Sequence, residues 1–308
     1  MSERPSIGVV GARGHTGSEL LRILDSHPGF DVQYTGSIEL DGQPVPEIDG
    51  LTFGALGPEG VAGLDLDAVF LALPNGASEP FVAALSADTV IVDISSDHRL
   101  EDTWVYGLPE LHRSKIAGAR RIANPGCYAT VMQLTIGPFV DDLDGVPAVF
   151  GVSGYSGAGT KASSMNDPSR LADNLMPYKL VGHNHEQEAT YHLGHAVRFM
   201  PHVHQAFRGL LVTSHIPVSL PTTPEEVTMR LRDVYSDEPL VEIQEEIPEL
   251  RDGTGRLGVL LGGVDVSEDG RNIVVVGAED NLLKGAAVQA VQNLNLAFGQ
   301  PEFAAILR

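Results

Sequence analysis

The amino-acid sequence predicts an α/β protein of two domains, in which a doubly wound parallel sheet is followed by an α+β domain with a mixed or antiparallel sheet. Three observations predict this. The chain has 308 residues, and a single domain holds about 150 residues on average. Short, wholly apolar segments alternate with a helical pattern in the first 126 residues, as in parallel sheets covered on both faces. Beyond Cys127 several apolar segments are longer or alternate with polar residues, which favours a mixed or antiparallel sheet.

The first domain is predicted over residues 1–126. Three short apolar segments are interpreted as buried strands, at 6–11, 68–73 and 89–94, and residues 31–35 are interpreted as a further strand. Between 6–11 and 31–35, residues 16–27 carry apolar side chains at helical spacing, namely Leu20, Leu21, Ile23 and Leu24. The order of a strand, a helix and then further strands predicts a doubly wound, Rossmann-type domain.

The second domain is predicted over residues 127–280. Residues 128–140 and 281–298 have helical patterns, and strands are expected at 148–152, 210–220, 258–266 and 272–276. No internal repeat and no low-complexity linker separates the two halves. We therefore expect a tight crossover between the domains near residue 125.

Composition and charge exclude several classes of protein. Apolar residues make up 43% of the chain, too many for a disordered protein. No apolar run approaches the roughly 18 residues that span a bilayer, and the N-terminus lacks the pattern of a signal peptide. The single cysteine excludes an internal disulfide and predicts a cytoplasmic location. The net charge of −21 repels phosphate backbones, so we expect neither a nucleic acid nor a membrane as partner.

A glycine-rich loop follows the first predicted strand. Residues 11–17 read GARGHTG, with Gly11, Gly14 and Gly17 spaced by three before a predicted helix. Glycines let the backbone turn tightly and approach a pyrophosphate, and the helix N-terminus offers N–H groups to the anion. A glycine-rich turn that binds nothing can show the same pattern. The place of this one, on the first strand of a doubly wound sheet, favours a dinucleotide site.

The end of the second predicted strand bears on the choice of cofactor. Enzymes that use NAD carry an Asp or Glu there, about 20 residues past the glycines, to bind the ribose 2′-hydroxyl. Here the strand ends at Ser37 and Ile38, and Glu39 comes a little later. This leaves room for a 2′-phosphate, with Ser37 and Arg13 as partners, and predicts NADP. A solvated surface position for Arg13 fits the sequence equally well.

The only cysteine, Cys127, follows Asn124-Pro-Gly and precedes a predicted helix. A lone cysteine is commonly a small buried apolar residue. At a helix N-terminus, however, the helix dipole stabilises the thiolate and lowers the pKa of the thiol. The position predicts a nucleophile.

A histidine-rich stretch is the second candidate for catalysis. Residues 183–188 read HNHEQE, and His185 and Glu188 share a face if a helix begins there. A carboxylate beside an imidazole fixes its tautomer and raises its basicity, which predicts an acid–base pair with His183 as a second candidate. Six of the eleven histidines lie between 183 and 204, so a zinc site is the rival interpretation. No carboxylate-rich motif accompanies it, and no metal is expected.

A third loop, SGYSGAGTK at residues 153–161, follows a predicted strand. Small residues in such a loop can present N–H groups to an anion. A flexible turn without a ligand is the alternative.

These motifs together resemble the N-acetyl-gamma-glutamyl-phosphate reductases of arginine biosynthesis, which are akin to aspartate-semialdehyde dehydrogenase and glyceraldehyde-3-phosphate dehydrogenase. The matching segments span nearly the whole chain in the family's order, and the length is that of the shorter type. They are GARGHTG (11–17), LALPNG (71–76), VDISSDHRL (92–100), YGLPEL (106–111), NPGCYAT (124–130), SGYSGAG (153–159), HNHEQE (183–188), PHVHQAFRG (201–209) and DNLLKGAAVQAVQNLNLAFG (280–299).

The resemblance implies a reaction. The thiolate of Cys127 attacks N-acetylglutamyl 5-phosphate, phosphate leaves, and hydride from NADPH reduces the thioester to N-acetylglutamate 5-semialdehyde. His185 or His183 acts as the acid–base, and Glu188 orients it. The resemblance also implies that the last segment, 281–308, packs on the first domain, and that the enzyme is a homodimer or homotetramer acting on a small molecule.

Binding residues are implied in the same way. The cofactor residues are Gly11, Arg13, Gly14, His15, Thr16, Gly17, Ser37, Pro74, Asn75, Gly76 and Asn281. Phosphate and substrate contacts are implied for Ser95, Arg99, Asn124, Ser156, Gly157 and Lys161, and a contact to a substrate carboxylate for Arg208.

The chain departs from the family pattern at three points. Thr160 and Lys161 stand where the family often has an arginine, which puts the phosphate contacts in doubt. Ile38 stands near another such arginine, which weakens the prediction of NADP. The family's HxHxPE reads HxHEQE here, which leaves both histidines and the glutamate in place.

Three other functions fit part of the sequence. The related reductase of lysine biosynthesis takes a substrate on an acidic carrier protein, for which a chain of charge −21 is a poor partner. An NADP-sensing regulator without catalysis needs no nucleophile such as Cys127. A zinc hydrolase would need the histidine cluster as ligands.

Overall fold

The structure, a computed structural model, describes residues 4 to 307. Its α-helices are α1 (His15–Leu24), α2 (Pro58–Ala62), α3 (Glu79–Ala84), α4 (Pro109–Ile116), α5 (Cys127–Ile136), α6 (Pro168–Leu171), α7 (Asn184–Leu193), α8 (Pro224–Val234), α9 (Leu250–Gly253) and α10 (Val288–Ala297). Its strands are β1 (Ser6–Val10), β2 (Asp31–Gly36), β3 (Ala68–Leu71), β4 (Val90–Asp93), β5 (Val105–Tyr106), β6 (Arg121–Ala123), β7 (Ala148–Gly154), β8 (Leu175–Pro177), β9 (Arg198–His204), β10 (Leu210–Pro217), β11 (Val241–Ile243), β12 (Val259–Val266) and β13 (Asn272–Glu279).

The chain folds into two compact units. The first runs to Pro125 and resumes at Ala286, and the second comprises Gly126–Gly285. The division predicted from sequence, 1–126 with 281–308 against 127–280, places the boundaries at slightly different residues.

The first unit is built on a parallel sheet of six strands in the order β2-β1-β3-β4-β6-β5. Every residue of β3 and β4 is buried, as expected of strands covered on both faces. Helix α10 packs against α1, α4 and β4. The predicted doubly wound fold is confirmed, and the carboxyl ends of β1 and β2 lead into the glycine-rich loop and the Ser37 turn.

The second unit is built on a mixed sheet of seven strands in the order β11-β12-β13-β10-β7-β9-β8. Most neighbours are antiparallel, while β7–β9 and β11–β12 are parallel. Helix α5 packs on β10 and β13, and every residue from Tyr128 to Ile136 is buried. Buried residues alternate with partly buried or exposed ones along β9 and β10, which is the pattern of a sheet packed on one face.

Several elements differ from the sequence-based expectation. The helix predicted to end at residue 140 ends at Ile136 and continues as a 3₁₀ turn, Gly137–Asp142, which has proline in its first turn. The helix predicted from residue 281 begins as a π-helical turn, Leu283–Ala287, before α10. Strand β9 was missed because Pro201 argues against a strand.

Candidate active site

The glycine-rich loop of the first unit leads into α1 with a backbone that only glycine fits. Gly11 has φ +82°, and a Cβ there would lie 2.2 Å from the carbonyl oxygen of Ala72. A Cβ on Gly17 would lie 2.5 Å from the carbonyl oxygen of Gly11. Any larger residue at either position would push the loop out of shape.

Helix α1 begins at His15, with Gly14 as its N-cap in an extended conformation. Glycine brings no side-chain oxygen to the first turn, and the helix has no side-chain cap. The N–H groups and the positive dipole end at His15, Thr16 and Gly17 are suited to a phosphate. The loop therefore fits a dinucleotide pyrophosphate.

The turn after β2 places the predicted 2′-phosphate residues in local contacts. Arg13 forms an ion pair with Glu39, Nη2 to Oε1 3.0 Å, and its side chain keeps 36% exposure. The hydroxyl of Ser37 accepts the N–H of Leu40 at 3.3 Å. The pairing of Glu39 with Arg13 could not be predicted from the sequence, because two surface residues 26 positions apart carry no pairing signal.

Two predicted binding segments are joined by a residue that the sequence analysis missed. The carboxylate of Asp97 accepts the N–H of Gly76 at 2.7 Å and the hydroxyl of Ser78 at 2.7 Å. The side chain of Asn75 accepts the N–H of Ser96 at 3.0 Å. Residues 74–76 and 95–99 thus form one hydrogen-bonded cluster.

Arg99 and Asn124 are both buried, and both bind backbone near the crossover. Arg99 donates to the carbonyl oxygens of Asn124 and Ile94, each at 2.8 Å. Asn124 accepts from the side chain of Asn293 at 2.9 Å. Ser95 donates to the buried carboxylate of Asp93 at 2.8 Å. These contacts stabilise the fold of the first unit, and the implied phosphate contacts stay predictions.

In the second unit, Cys127 is the first residue of α5, with Gly126 as its N-cap. The cysteine is partly buried. The N–H of Gly126 donates to Oε1 of Glu188 at 2.8 Å, and the Glu188 side chain is buried. The helix N-terminus favours the thiolate form of Cys127. Through this hydrogen bond, Glu188 fixes the position of Gly126, the residue just before Cys127.

The two histidines of the HNHEQE stretch have different environments. His183 is the N-cap of α7, and its Nδ1 accepts the N–H of His185 at 3.1 Å. Burial, and to a lesser degree the charge of Lys179, lower the pKa of His183 to about 4. His185 is only partly buried, and its ring lies 4.9 Å from that of His183 and 5.8 Å from that of Tyr128. Because its pKa is lowered to about 4, His183 is neutral at pH 7.

Two tyrosines beside Cys127 were missed as site residues. Tyr128 donates its hydroxyl to the carbonyl oxygen of His202 at 2.8 Å. Burial raises the pKa of both phenols, and a charged Cys127 thiolate raises it further. Both hydroxyls therefore stay neutral. Tyr128 directly follows Cys127 in the sequence, whereas Tyr178, 50 residues from Tyr128, carries no sequence signal that relates it to this site.

The predicted substrate loop is fastened by Asn281. Its Nδ2 donates to the hydroxyl of Ser156 at 2.8 Å, and its Oδ1 accepts the N–H of Gly209 at 3.0 Å. The structure thus brings Asn281 to Ser156 and Gly157, and its implied cofactor contact stays a prediction. Lys161 is exposed.

Among residues 4–307, no group of three His, Cys, Asp or Glu side chains is arranged to hold a metal ion. The helices in this part of the chain are too short or too polar to cross a membrane.

Comparisons with known proteins agree with this architecture. Residues 6–119 match the family model for the NAD binding domain of semialdehyde dehydrogenases, and residues 127–281 match the one for their dimerisation domain. The chain is 20% identical to the solved aspartate semialdehyde dehydrogenase II of Vibrio cholerae, with a TM-score of 0.79 over 97% of this chain and 99% of that one. The structure of the Candida albicans enzyme with NADP gives a TM-score of 0.74 at 16% identity, over 96% and 99%. These likenesses confirm the predicted fold class.

Curated relatives are much more similar. An N-acetyl-gamma-glutamyl-phosphate reductase of Xanthomonas oryzae is 50% identical over 309 residues, which is 98% of each chain. One of Stenotrophomonas maltophilia is 49% identical, again over 98% of each chain. The predicted resemblance is confirmed: the chain belongs to the N-acetyl-gamma-glutamyl-phosphate reductase family.

Proposed function

We propose that the protein catalyses the NADPH-dependent reduction of N-acetyl-L-glutamyl 5-phosphate to N-acetyl-L-glutamate 5-semialdehyde, with release of phosphate, in arginine biosynthesis. The observation that carries the proposal is a cysteine at the first position of a buried helix, in a chain of this family. Acyl phosphates are electrophiles that a thiolate attacks readily.

Cys127 is the nucleophile. Its Sγ forms a bond to the substrate's C5 carbonyl carbon, and the bond from that carbon to the phosphate oxygen breaks, so that phosphate leaves with the electron pair. A thioester remains on Cys127. NADPH, when bound, supplies the hydride that reduces this thioester, and the thiohemiacetal then releases the aldehyde and restores the thiol.

His185 serves as the acid–base. It takes the proton of the Cys127 thiol and returns a proton when the thiohemiacetal collapses. His183 is poorly suited to this, because its Nδ1 caps α7 and its pKa is lowered to about 4, far from the working pH. We assign to Glu188 two tasks, orienting His185 and holding the Gly126 N–H at 2.8 Å.

The substrate's remaining charged groups need cations and N–H donors. We assign the α-carboxylate to Arg208, which is partly exposed. We assign the phosphate to the loop at Ser156 and Gly157, as the resemblance implies. The phosphate contacts that the resemblance implies for Ser95 and Arg99 stay predictions.

NADP(H) is the proposed cofactor. The loop before α1 fits the pyrophosphate, and Arg13 can serve a 2′-phosphate if its ion pair with Glu39 opens. The same Glu39 can accept the 2′-hydroxyl of NAD. We therefore expect a preference for NADP(H) that is limited by Glu39.

We also propose that the protein assembles as a homodimer or homotetramer and works in the cytoplasm. The second unit matches a dimerisation domain. Its sheet exposes two large apolar side chains on neighbouring strands, Phe150 and Met200. Such side chains are commonly covered by another subunit. The single cysteine suits a reducing compartment.

The test is the reaction in reverse. The purified protein should reduce NADP⁺ with N-acetylglutamate 5-semialdehyde as substrate, only when phosphate is present, and absorbance at the NADPH band follows it. Omitting phosphate is the control. Reduction that does not depend on phosphate, or none at all with active protein, would contradict the proposal.

A further inference from the structure

The guanidinium of Arg208 faces a buried carboxylate in the second unit. Its Nε lies 3.2 Å from Oδ2 of Asp280. The side chain of Asp280 is fully buried, whereas that of Arg208 keeps 22% exposure. The cation is thus anchored on one side while part of it reaches the surface.

The position of Asp280 is fixed independently of Arg208. Its Oδ2 accepts the N–H of Gly255 at 2.7 Å, and its Oδ1 accepts the N–H of Leu282 at 2.9 Å. Two backbone donors therefore determine where the carboxylate lies. A buried carboxylate in this setting also needs a nearby positive charge, and Arg208 supplies one.

Asp280 belongs to a segment that contacts several candidate site residues. Its carbonyl oxygen accepts the N–H of Gly285 at 3.1 Å. A Cβ on Gly285 would lie only 2.6 Å from Cβ of Cys127, so this glycine packs directly on the nucleophile. The next residue, Asn281, binds Ser156 and Gly209. Residues 280 and 281 thus connect Arg208, the substrate loop and the start of α5.

We propose that Asp280 is a positioning residue that orients Arg208 to bind the α-carboxylate of the substrate. This rests on the proposed function. The five N–H donors of a guanidinium form a rigid planar fork, so a fixed negative charge 3.2 Å from Nε limits the directions in which the Nη groups point. An arginine fixed in this way forms a two-point contact with a carboxylate without first losing its rotamer freedom.

The experiment compares two aldehydes in the phosphate-dependent reverse reaction. One is N-acetylglutamate 5-semialdehyde, and the other is N-acetyl-4-aminobutanal, the same molecule without the α-carboxylate. The Asp280→Asn variant should lose about tenfold to a hundredfold in kcat/KM on the first, mainly through KM. On the second it should change by less than about threefold.

Two companion variants separate positioning from folding. Arg208→Gln should show the same substrate-selective loss, and the double variant should be no worse than Arg208→Gln alone. The matched control is Glu302→Gln, which changes a carboxylate to an amide at another ion pair, with Arg113. It should affect both aldehydes equally. If Asp280→Asn does not fold, Asp280→Glu keeps the charge, displaces it and should show the same selectivity.

Each of the following outcomes would contradict the positioning role of Asp280. Equal losses on both aldehydes would give Asp280 a merely structural role. A raised KM for phosphate, with no selectivity between the aldehydes, would assign Arg208 to the phosphate. Additive losses in the double variant would show that the two residues act independently. Failure of the wild-type protein to oxidise N-acetylglutamate 5-semialdehyde would refute the proposed function instead, and is seen before any variant is made.

Discussion

Helices α1 and α5 begin with the same backbone geometry but differ in how deeply they are buried. Each follows a glycine N-cap with extended backbone, Gly14 at φ −62° and ψ 160°, and Gly126 at φ −77° and ψ 148°, and neither has a side-chain cap. Helix α1 buries only one stripe of side chains, while α5 is buried throughout from Tyr128. The first residue of α1 is His15, and that of α5 is Cys127.

Under the proposed function, the two helix starts use the same electrostatic effect for two different anions. The positive end of a helix stabilises negative charge that lies against it. In the proposed function, the negative charge at α1 belongs to a cofactor that binds and dissociates, and this helix begins in a glycine-rich loop near the surface. The negative charge proposed at α5 is the thiolate of Cys127 itself, where the helix is buried and Glu188 accepts the N–H of Gly126, the residue before the cysteine.

Removing the thiol should have the largest effect. Cys127→Ser should leave less than about a hundredth of the wild-type kcat, because a hydroxyl at its ordinary pKa cannot replace a thiolate. Binding of NADPH, followed by its fluorescence, should be unchanged, which would separate the two helix starts. A serine variant with substantial activity would refute covalent catalysis by this residue.

The histidine variants test which side chains assist catalysis by Cys127 at the start of α5. His185→Ala should lower kcat by about a hundredfold or more, whereas His183→Ala should act mainly on KM. Glu188→Gln should give an intermediate loss, because the amide keeps an acceptor for the Gly126 N–H but loses the charge that orients His185. Steady-state kinetics of the three variants at one pH test this. A large kcat loss in His183→Ala, with little in His185→Ala, would reverse the assignment.

Two glycine substitutions should each disrupt the start of one helix, α1 or α5, and leave the other intact. In Gly11→Ala the alanine would have a positive φ, and its Cβ would clash with the backbone of Ala72. This variant should weaken NADPH binding at least about tenfold, while iodoacetamide should still alkylate Cys127 at the normal rate. Gly285→Ala crowds Cys127 at 2.6 Å and should slow alkylation and turnover while NADPH binds normally. Gly137→Ala is the control, since its Cβ meets nothing closer than 3.8 Å. If either variant impaired both properties equally, the two starts would not be separable.

A smaller effect is expected from the ion pair beside α1. Glu39→Gln removes the partner of Arg13 and the carboxylate suited to a ribose 2′-hydroxyl. The ratio of kcat/KM for NADPH to that for NADH should therefore rise severalfold. An unchanged ratio would exclude Glu39 from cofactor choice, and a wild-type preference for NADH would overturn the prediction of NADP(H).

The smallest effect concerns stability near α5. The pKa of His183 is lowered to about 4 in the folded protein, mainly by burial, from a usual value of 6.5. The unfolded chain therefore binds more protons between these values, so the free energy of unfolding should fall as the pH is lowered from about 6.5 to about 4. His183→Gln should reduce that fall in urea titrations over this range. Equal slopes in both proteins would contradict a buried neutral imidazole.

Much of the architecture could be predicted from local patterns. The strands β1, β3 and β4 were visible as short apolar runs, and α1 as an amphipathic helix. Cys127 was expected at a helix start because proline and glycine precede it, and the structure places it at the first position of α5. The family followed from motifs that span the chain. Such features depend on residues that are near one another in sequence, so one chain suffices to predict them.

The tertiary structure alone decided which side chains act on these local features. The sequence did not indicate that Glu188 holds Gly126, 62 residues away, or that Asp280 faces Arg208. Nor did helical spacing show that His183 caps α7, or that burial makes it a weak base. These pairings arise where strands and helices distant in the chain are packed together, and burial then sets the proton affinity and direction of each group.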